Sequence, residues 1–514
     1  MEIIANRALL LPNVEDPSLI TGSIRKSAET DEGVVVHWGF DEAETLVKLG
    51  VNDVPSPILR SYDWTGKFSP FTHQKTTSSF LSLRRRAFCF NEQGTGKTAS
   101  VIWAADYLMK LGKVKRVLVL CPLSIMRSAW QEDLFKFAMH RSCSVAHGSA
   151  PQRVKIIRAG AEFVIINYDG VGVVRDEIIN GGFDLIVVDE ANAYKNAQTA
   201  RWTDLNRIVK ATDPRIWMLT GTPAAQSPLD AYGLAKMMGS PECPKYFASF
   251  RTATMNLVTR FKWAPRPEAK EIVHRVLQPA IRFEKKDCLD LPDVTYVDRD
   301  APLSPQQSKY YTRLKAELLI ESDGEEVSAV NAAAKLNKLL QISGGAVYTD
   351  TGEVLEFDVS NRINVVLEVI REASHKVLIF VPFTHTIELL RDRLEKEGIS
   401  AAVINGAVPP NKRADIFQRF QENADPHVLI IQPQAASHGV TLTAADTLIW
   451  YSPVTSVETY LQANARIDRA GQRNPMTVVH IQGSDVEKRV YQMLRGNIQH
   501  HKSVVDLYKE VLTL

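Results

Sequence analysis

Residues 87–98 read AFCFNEQGTGKT, a short apolar run, a glycine-spaced turn, then Lys97 and Thr98. Gly94 and Gly96 permit open backbone conformations, so amide N–H groups of the turn can face phosphate oxygens. In such a loop the lysine reaches the β- and γ-phosphates, and the Ser or Thr hydroxyl binds Mg²⁺. A helix that follows the loop adds the positive end of its dipole. The stretch therefore predicts a strand, a phosphate-binding loop and a helix.

The loop departs from the complete pattern at one position, where Asn91 replaces a glycine. Taken alone, a glycine-spaced turn of this kind fits a plain loop as well as a phosphate site. The functional interpretation therefore depends on the other motifs of the chain and on their spacing from this one.

The composition is that of a globular protein with several domains. The 514 residues are 45% hydrophobic and 23% charged, and a prior of about 150 residues per domain predicts roughly two to four domains. Because the net charge is only +2, nucleic-acid binding would have to use local basic patches. Five cysteines without CxxC spacing predict neither a zinc site nor a disulfide framework, which suits a reducing compartment. We see no signal peptide and no apolar run of about 20 residues, so we expect a cytoplasmic protein that is not secreted.

Short apolar runs alternate with longer helical patterns in two parts of the chain. The runs are rich in Val, Ile and Leu without polar alternation, as expected for strands buried on both faces of a parallel sheet. They cover 87–90, 116–121, 163–167, 184–188 and 215–220 in the first part, and 376–381, 400–404, 427–432, 447–451 and 477–481 in the second. The fold class is therefore α/β, with two doubly wound parallel-sheet lobes. Ligands of such sheets bind beyond the carboxyl ends of the strands, so two lobes predict a cleft.

Two regions lie outside this alternation. Near the N-terminus, a strand is predicted at 34–38 and a helix at 41–49. From about 228 to 360 the pattern is helical and charged, with the clearest helices at 304–320 and 327–342. We expect a small N-terminal accessory region at 1–65, lobe 1 at 66–290 with a helical insertion from about 228, and lobe 2 at 291–514 with a helical insertion to about 360.

An acidic pair ends one of the apolar runs, in the stretch DLIVVDE at 184–190. At a strand end Asp189 could hold a Mg²⁺ shared with Thr98, and Glu190 could orient or deprotonate an attacking water. An exposed acidic turn is the common alternative, but the loop of Lys97 upstream favours the functional interpretation. The stretch LTGTP at 219–223 ends another run, and its hydroxyls could sense the nucleotide, although by itself it also fits a plain turn.

Two arginines stand three residues apart in the stretch QANARIDRAGQR at 462–473. If this stretch is helical, Arg466 and Arg469 share one face. Two guanidinium groups presented across a cleft would suit the charge that develops on a γ-phosphate. By local composition alone, a solvated basic helix face is the better interpretation.

Eight stretches, in order along the chain, resemble the motifs of superfamily-two helicases in the version carried by the SWI/SNF-related DNA translocases. They are PFTHQ (70–74, the adenine-reading glutamine motif), NEQGTGKT (91–98, motif I), CPLSIMRSAW (121–130, motif Ia), DEANAYKN (189–196, the DEAH box), LTGTPAAQ (219–226, motif III), KVLIFVPF (376–383, motif IV), SHGVTLTAADT (437–447, motif V) and LQANARIDRAGQ (461–472, motif VI). Each motif is weak alone, but their shared order over residues from about 66 to 495 is specific.

The resemblance implies two RecA-like lobes that bind ATP and Mg²⁺ between them. It assigns catalytic roles to Lys97, Asp189, Glu190, Arg466 and Arg469, and metal binding to Thr98 and Asp189. It assigns nucleotide binding to Gln74, Gln93, Gly94, Thr95, Gly96, Lys97, Thr98 and Gly439. It also overturns the interpretation of the two arginines as a solvated face. Asn192 replaces the DEAH histidine, which usually couples hydrolysis to neighbouring motifs, so the strength of coupling stays open.

The partner implied by the resemblance is DNA, duplex or branched, held through its phosphate backbone. Such binding is independent of sequence and strongly dependent on salt. The candidate contacts are Ser124, Arg127, Asn167, Tyr168, Thr384, Asn405, Gly406, Arg413 and Ser437. Basic clusters at 84–86, 113–116, 285–286 and 500–502 could extend this surface, although each is more commonly a solvated face. The chain shows no strong array of aromatic residues for base stacking, which favours duplex tracking over single-strand binding.

Three functions stay open from the sequence. The first is an ATP-dependent translocase that remodels duplex or branched DNA, by fork regression or branch migration, in replication, recombination or repair. The second is a strand-separating replicative helicase. The third is a nucleotide-gated DNA-binding module with little turnover, which Asn192 keeps open. Such a compact version of the family suggests a bacterium or its virus, so the expected location is a bacterial or infected-host cytoplasm.

Overall fold

The computed structural model describes residues 1–66, 68–221, 223–224, 227–259, 262–288, 290–322, 329–348, 354–436 and 440–496. The chain divides into Met1–Cys288 and Leu289–Leu514, which we call unit 1 and unit 2 and describe separately. Each unit is built on one parallel β-sheet with a buried cluster of apolar side chains on each face.

Unit 1 begins with a small antiparallel sheet. Its strands are β1 (Glu2–Ile4), β2 (Ala8–Leu11), β3 (Ser27–Thr30) and β4 (Gly33–His37), in the order β1-β2-β4-β3. Leu9 and Val36 of this sheet belong to the same buried cluster as Trp103, a residue of the first lobe. The accessory region that we expected therefore shares its core with the lobe that follows it.

The main sheet of unit 1 has seven parallel strands. They are β5 (Arg86–Cys89), β6 (Val117–Cys121), β7 (Cys143–Ala146), β8 (Phe163–Asn167), β9 (Leu185–Val188), β10 (Arg215–Leu219) and, later in the chain, β13 (Ala280–Ile281). Their order is β13-β5-β10-β9-β6-β8-β7. Successive side chains alternate between the two clusters: Val117 and Val119 face one, and Leu118 faces the other. Burial on both faces explains why the inner strands read as continuous apolar runs.

Helices cover both faces of the unit 1 sheets. They are α1 (Pro17–Ser23), α2 (Phe40–Lys48), α3 (Ile58–Ser61), α4 (Thr72–Ser82), α5 (Lys97–Lys110), α6 (Glu132–Phe137), α7 (Ala150–Arg158), α8 (Tyr168–Val173), α9 (Arg175–Ile179), α10 (Ala200–Thr212), α11 (Asp230–Met238), α12 (Phe247–Thr254), α13 (Ala269–Val276) and α14 (Lys285–Cys288). A six-residue π-helix, Met126–Gln131, lies between β6 and α6.

The region that the sequence predicts as mostly helical, from about 228 to 360, contains strands as well. A hairpin of β11 (Met255–Thr259) and β12 (Lys262–Pro265) separates α12 from α13. In unit 2, β14 (Val294–Asp300) pairs along its whole length with the last strand of the sheet. The helical prediction was wrong for these segments, since the half-exposed β14 carries charged residues and gives no apolar run.

The sheet of unit 2 has six parallel strands: β14, β17 (Lys376–Phe380), β18 (Ala401–Ile404), β19 (Val428–Ile431), β20 (Ala445–Trp450) and β21 (Met476–Gln482). Their order is β14-β21-β20-β17-β19-β18. A small hairpin consists of β15 (Ala346–Tyr348) and β16 (Val354–Glu356). The helices are α15 (Pro305–Ser322), α16 (Ala329–Gly344), α17 (Ser360–Glu372), α18 (Thr384–Lys396), α19 (Pro410–Glu422), α20 (Val457–Asn464) and α21 (Asp485–Gly496).

The α/β fold class with two doubly wound parallel-sheet lobes is thereby confirmed. The division at residues 65 and 290 stays a prediction. Among the described residues, we find no helix with the length and apolar character needed to span a membrane.

Candidate active site

The sequence motifs of unit 1 meet at the carboxyl edge of its main sheet. Strand β10 lies between β5 and β9, so the turns that follow these three strands are neighbours. The phosphate-loop sequence follows β5, and the acidic pair follows β9. This is the edge at which doubly wound sheets bind ligands.

The glycine-rich turn has the backbone that the sequence predicts. Gly94 and Gly96 have φ angles of +83° and +81°, the left-handed region that glycine enters at little cost. Helix α5 then begins at Lys97. The ammonium group of Lys97 donates to the carbonyl oxygens of Asn91 (2.9 Å) and Glu92 (3.2 Å). The lysine side chain therefore reaches back to the two residues with which its loop begins.

Helix α4 supports the turn from the side. Gln74 Nε2 donates to the carbonyl of Thr95 at 3.1 Å, and His73 Nε2 lies 2.8 Å from the same oxygen. A Cβ atom on Gly96 would lie 2.1 Å from Gln74 Nε2, so the amide packs directly on the glycine backbone. Gln74 thus contacts the phosphate loop, and its predicted role in reading the adenine stays a prediction. His73 is a support that sequence reasoning missed.

Asn91, which replaces the glycine of the usual pattern, is buried and links the loop to two other segments of unit 1. Its Nδ2 donates to Thr77 Oγ1 of α4 at 2.8 Å, and its Oδ1 accepts the backbone N–H of Phe283 at 3.0 Å. Beside it, Glu92 N donates to the carbonyl of Phe283, and Glu92 Oε2 accepts the N–H of Lys285 at 2.9 Å. A glycine at this position could make neither side-chain bond.

The acidic pair is fixed by donors from two other motifs. Asp189 Oδ2 accepts the indole N–H of Trp130 at 2.9 Å, and Oδ1 accepts the N–H of Glu190 at 3.0 Å. Glu190 has a φ of +47°, so the chain turns sharply at this point. Removal from water raises the pKa of the Asp189 carboxyl, and the Trp130 bond and the charge of Lys97 oppose this rise. The opposing effect of Lys97 places the lysine and the carboxylate within electrostatic reach.

Tyr168, which we predicted to contact DNA, lies buried against the acidic pair. Its hydroxyl donates to the carbonyl of Asp189 at 2.5 Å, and its ring packs edge-on against Tyr194. Burial and the charges of Asp189 and Glu190 raise the pKa of Tyr168 well above its usual range, which keeps its O–H a donor. A DNA contact through this residue stays a prediction, but its present contacts support the site.

The turn that follows β10 lies between the turns that follow β5 and β9. The N–H of Thr220 donates to the carbonyl of Cys89 at 3.1 Å. A Cβ atom on Gly221 would lie 3.2 Å from Gln93 Cγ, so this turn touches the phosphate loop. Thr222 and Gln226 of the same motif lie outside the described residues.

In unit 2 the two arginines converge, although not as a helix face. Helix α20 ends at Asn464, whose Oδ1 accepts the indole N–H of Trp450. The carbonyl of Arg466 then accepts the N–H of Leu442, so the chain pairs with the loop before β20 instead of continuing the helix. The stretch 462–473 is therefore helical only as far as Asn464, so the two arginines do not share a helix face. Both guanidinium groups nevertheless donate to one carbonyl, that of Val440, at 3.3 Å from Arg466 and 3.1 Å from Arg469.

The remaining predicted DNA contacts differ in how they are held. In unit 1, Ser124 lies in a short 3₁₀ turn before the π-helix, Arg127 is exposed on that π-helix, and Asn167 Oδ1 accepts from Arg153.

In unit 2, Thr384 is exposed at the start of α18, and Gly406 N donates to Gln432. The guanidinium of Arg413 donates to four carbonyls, including those of Asn405 (3.0 Å) and Gly406 (3.2 Å), so it organises this loop from within. Ser437, Gly439 and the basic cluster at 500–502 lie outside the described residues.

The donors proposed for Mg²⁺ suit that ion by their chemistry. The Thr98 hydroxyl and the Asp189 carboxylate are the oxygen ligands that Mg²⁺ takes with nucleotide phosphates and water. Mg²⁺ needs few protein ligands when phosphates supply the rest. The part of the chain that the structure describes contains no group of three or more His, Cys, Asp or Glu that could hold a metal by itself.

Two parallel α/β lobes, with a phosphate-loop sequence and an acidic pair at the edge of the first, define a helicase-type ATPase core. The SNF2-related domain family matches residues 73–346, and the helicase conserved C-terminal domain matches residues 361–471. Since the first match alone covers more than half of the 514 residues, the chain belongs to the SNF2-related family.

Individual relatives are distant. The chain is 27% identical over 437 residues to a chromodomain-helicase-DNA-binding protein 1-like of Mus musculus, covering 81% of this chain and 47% of that protein. It is 25% identical to an uncharacterized ATP-dependent helicase of Mycoplasma genitalium, covering 78% of this chain and 38% of that protein. The chain thus spans less than half the length of these relatives.

A phage relative has a similar length. A putative protein of Acyrthosiphon pisum secondary endosymbiont phage 1 is 25% identical over 474 residues, covering 87% of this chain and 99% of that protein. Among solved structures, the Sulfolobus solfataricus SWI2/SNF2 ATPase core in complex with dsDNA is 22% identical, with a TM-score of 0.42. That match covers 87% of this chain and 95% of the Sulfolobus chain.

Proposed function

We propose that this protein is a DNA-dependent ATPase that uses ATP hydrolysis to move along DNA. The observation that carries the proposal is that the loop of Lys97 and the acidic pair of Asp189 follow strands β5 and β9, which flank β10 at one sheet edge. A phosphate-binding cation and a metal-binding carboxylate are the pair that phosphoryl transfer from ATP requires. Membership of the SNF2-related family supports the same activity.

In the proposed mechanism, the backbone amides of residues 94–98 and the ammonium group of Lys97 hold the phosphates. We assign the reading of adenine to Gln74, whose side-chain amide is held on the loop by its bond to Thr95. Thr98 and Asp189 would hold Mg²⁺, which would neutralise charge between the β- and γ-phosphates. Glu190 orients the attacking water.

We further propose that Arg466 and Arg469 supply positive charge to the developing transition state. Their shared carbonyl partner, Val440, supports this role because it brings two guanidinium groups to one point of unit 2. Gly439 adjoins Val440 in sequence and stays a candidate for nucleotide binding.

The proposed substrate is duplex or branched DNA, held by its backbone and independent of sequence. The proposed outcome is remodelling of forks or recombination intermediates in replication, recombination or repair, inside a bacterial or infected-host cytoplasm. A strand-separating replicative helicase is the second candidate. A nucleotide-gated binding module with little turnover is the third, which the exchange of the DEAH histidine for Asn192 keeps open.

The test of the ATPase is the variant Lys97→Ala. We expect DNA-stimulated ATP hydrolysis to be abolished, because the loop loses its cation. Lys110→Ala, which removes a lysine from the opposite end of α5, is the matched control and should keep turnover. Full turnover by Lys97→Ala would refute the site.

The three functions separate on a panel of DNA substrates. Stimulation by duplex and forked DNA together with branch migration supports the translocase. Displacement of a simple flanked oligonucleotide supports the strand-separating helicase. Tight binding of DNA without hydrolysis supports the gated module. Each reaction is run with wild-type protein at several salt concentrations, since phosphate contacts weaken with salt.

A further inference from the structure

The π-helix Met126–Gln131 carries an exposed cation on one side and a buried hydrogen-bond donor on the other. Arg127 is exposed, whereas Trp130, three residues later, is fully buried. The indole N–H of Trp130 donates to Asp189 Oδ2 at 2.9 Å. One short segment thus connects the protein surface to the carboxylate of the proposed ATPase site.

The bond to Asp189 is a strong and specific one. A hydrogen bond to a charged acceptor is stronger than a neutral one, and more so when both groups are shielded from water. A buried indole N–H also needs an acceptor, and the only one that it uses among the described residues is this carboxylate. A shift of the indole would therefore change the position or the basicity of Asp189.

The backbone of this segment is suited to such a shift. A π-helix closes a wider ring than an α-helix and occurs mostly as a short insertion, frequently at functional sites. Here it runs directly into α6, which begins at Glu132. A small change in the winding of the turn would rotate Arg127 and Trp130 together, because both lie within the same six residues.

Resting on the function proposed above, we infer that Trp130 is a positioning residue that makes ATP hydrolysis responsive to DNA. A DNA phosphate bound by Arg127 shifts the π-helix, and the indole carries that shift to the Asp189 carboxylate. Trp130 touches neither ATP nor DNA in this scheme. It acts through Asp189, which is held in its productive orientation when DNA is bound.

The kinetic test compares Trp130→Phe with Trp217→Phe. Phenylalanine keeps a buried aromatic ring but removes the N–H. Trp217 is equally buried and also uses its indole N–H, in a 3.0 Å bond to the carbonyl of Arg84 at the opposite end of the sheet. We expect the ratio of DNA-stimulated to DNA-free hydrolysis to fall about tenfold in Trp130→Phe, the loss of a bond to a charged group. Trp217→Phe should keep the wild-type ratio.

A spectroscopic measurement distinguishes a Trp130 that responds to DNA from one that only packs in the core. The indole N–H resonances of the eight tryptophans are recorded in ¹⁵N-labelled wild-type protein, and the Trp130 signal is identified by its loss in Trp130→Phe. We expect saturating duplex DNA without nucleotide to shift this signal in the wild type. In Arg127→Ala, at DNA concentrations that saturate that variant, the shift should be lost.

Two failures can be told apart. If wild-type protein shows no DNA-stimulated hydrolysis, the proposed function is overturned, and this inference falls with it. If the wild type is stimulated but the Trp130 signal does not move with DNA, this inference alone is overturned. The same holds if Trp130→Phe lowers the stimulated and DNA-free rates by equal factors.

Discussion

The charged groups proposed for the site make different contacts in the two units. In unit 1, Asp189 is bound through its side chain by the indole of Trp130. In unit 2, Arg466 and Arg469 share a backbone carbonyl, that of Val440. A carboxylate held by one specific side chain can be adjusted through that side chain, whereas arginines on a carbonyl depend on the path of the loop. The same fold thus gives one unit an adjustable anion and the other a paired cation.

The largest expected effect comes from the cationic side of this comparison. Arg469→Ala should lower kcat for DNA-stimulated ATP hydrolysis by about 10³-fold or more, as loss of an arginine that stabilises the transferred phosphate does. The KM for ATP should change little, because the phosphate loop is untouched. Arg473→Ala, an exposed arginine of the same segment, is the control. Equal rates for the two variants would remove unit 2 from the proposed site.

A second prediction concerns the buried ion pair that stabilises unit 2. Arg362 and Glu487 lie 2.7 Å apart, with side-chain exposures of 3% and 0%. Glu487→Gln leaves a buried guanidinium without its counter-charge, and we expect a loss of about 3–5 kcal/mol in the free energy of unfolding. Urea unfolding of the variant and the wild type measures this loss. Glu372→Gln, which removes the exposed partner of Arg299, should cost less than about 1 kcal/mol.

Unit 1 contains a second buried carboxylate, Asp106, whose contribution to the free energy of unfolding should depend on pH. Asp106 of α5 accepts from Tyr62, Arg141 and His140. Burial raises its pKa, but these bonds outweigh burial, so the pKa of Asp106 lies below its usual range. Its contribution to stability is therefore present above the unfolded-state pKa of about 4, and is lost as the pH falls through the lower folded-state value.

The variant Asp106→Asn measures this contribution. At pH 7 it should lose about 1–3 kcal/mol of unfolding free energy, and its stability should fall less between pH 5 and 3 than that of the wild type. Asp41→Asn, an exposed partner of Lys113, serves as the control. An unchanged acid profile in Asp106→Asn would show that other carboxyl groups govern acid unfolding of unit 1.

The smallest effect should come from Tyr168→Phe. The change removes the phenolic O–H, which donates to the carbonyl of Asp189 at 2.5 Å and to that of Glu190 at 3.4 Å, and leaves the ring against Tyr194. We expect kcat to fall less than about tenfold, the value of one neutral hydrogen bond. If DNA affinity falls instead while kcat at saturating DNA is unchanged, the predicted DNA contact is favoured over the supporting role.

The sequence predicts the inner strands well and the edge strands poorly, for a physical reason. Strand β6 is buried on both faces and has no polar residue. The edge strand β14 reads VTYVDRD, because half of its surface meets solvent, and its pairing with β21 depends on residues far away in the chain. Likewise, two strands of the N-terminal sheet, EII and SAET, give no apolar run long enough to detect.

At the site, the sequence identified the chemical groups but not their supports. Motif spacing pointed to Lys97 and Asp189, since these residues belong to short segments with a characteristic order. Trp130 lay within a recognised motif without a role, and only the fold brings it to Asp189. A buried tryptophan needs an acceptor for its N–H, so the signal existed, but the sequence alone could not say which acceptor.

The bonds of Asn91 and Glu92 to Phe283 and Lys285 have a mechanical consequence. The last residues of unit 1 are fastened to the first residues of the phosphate loop, on the same peptides whose carbonyls hold Lys97. Tension applied to the chain at the end of unit 1 would first act on Asn91 and Glu92. The carbonyls of these two residues accept the hydrogen bonds of Lys97. A force on the chain where it leaves unit 1 would therefore act on the residues that hold Lys97.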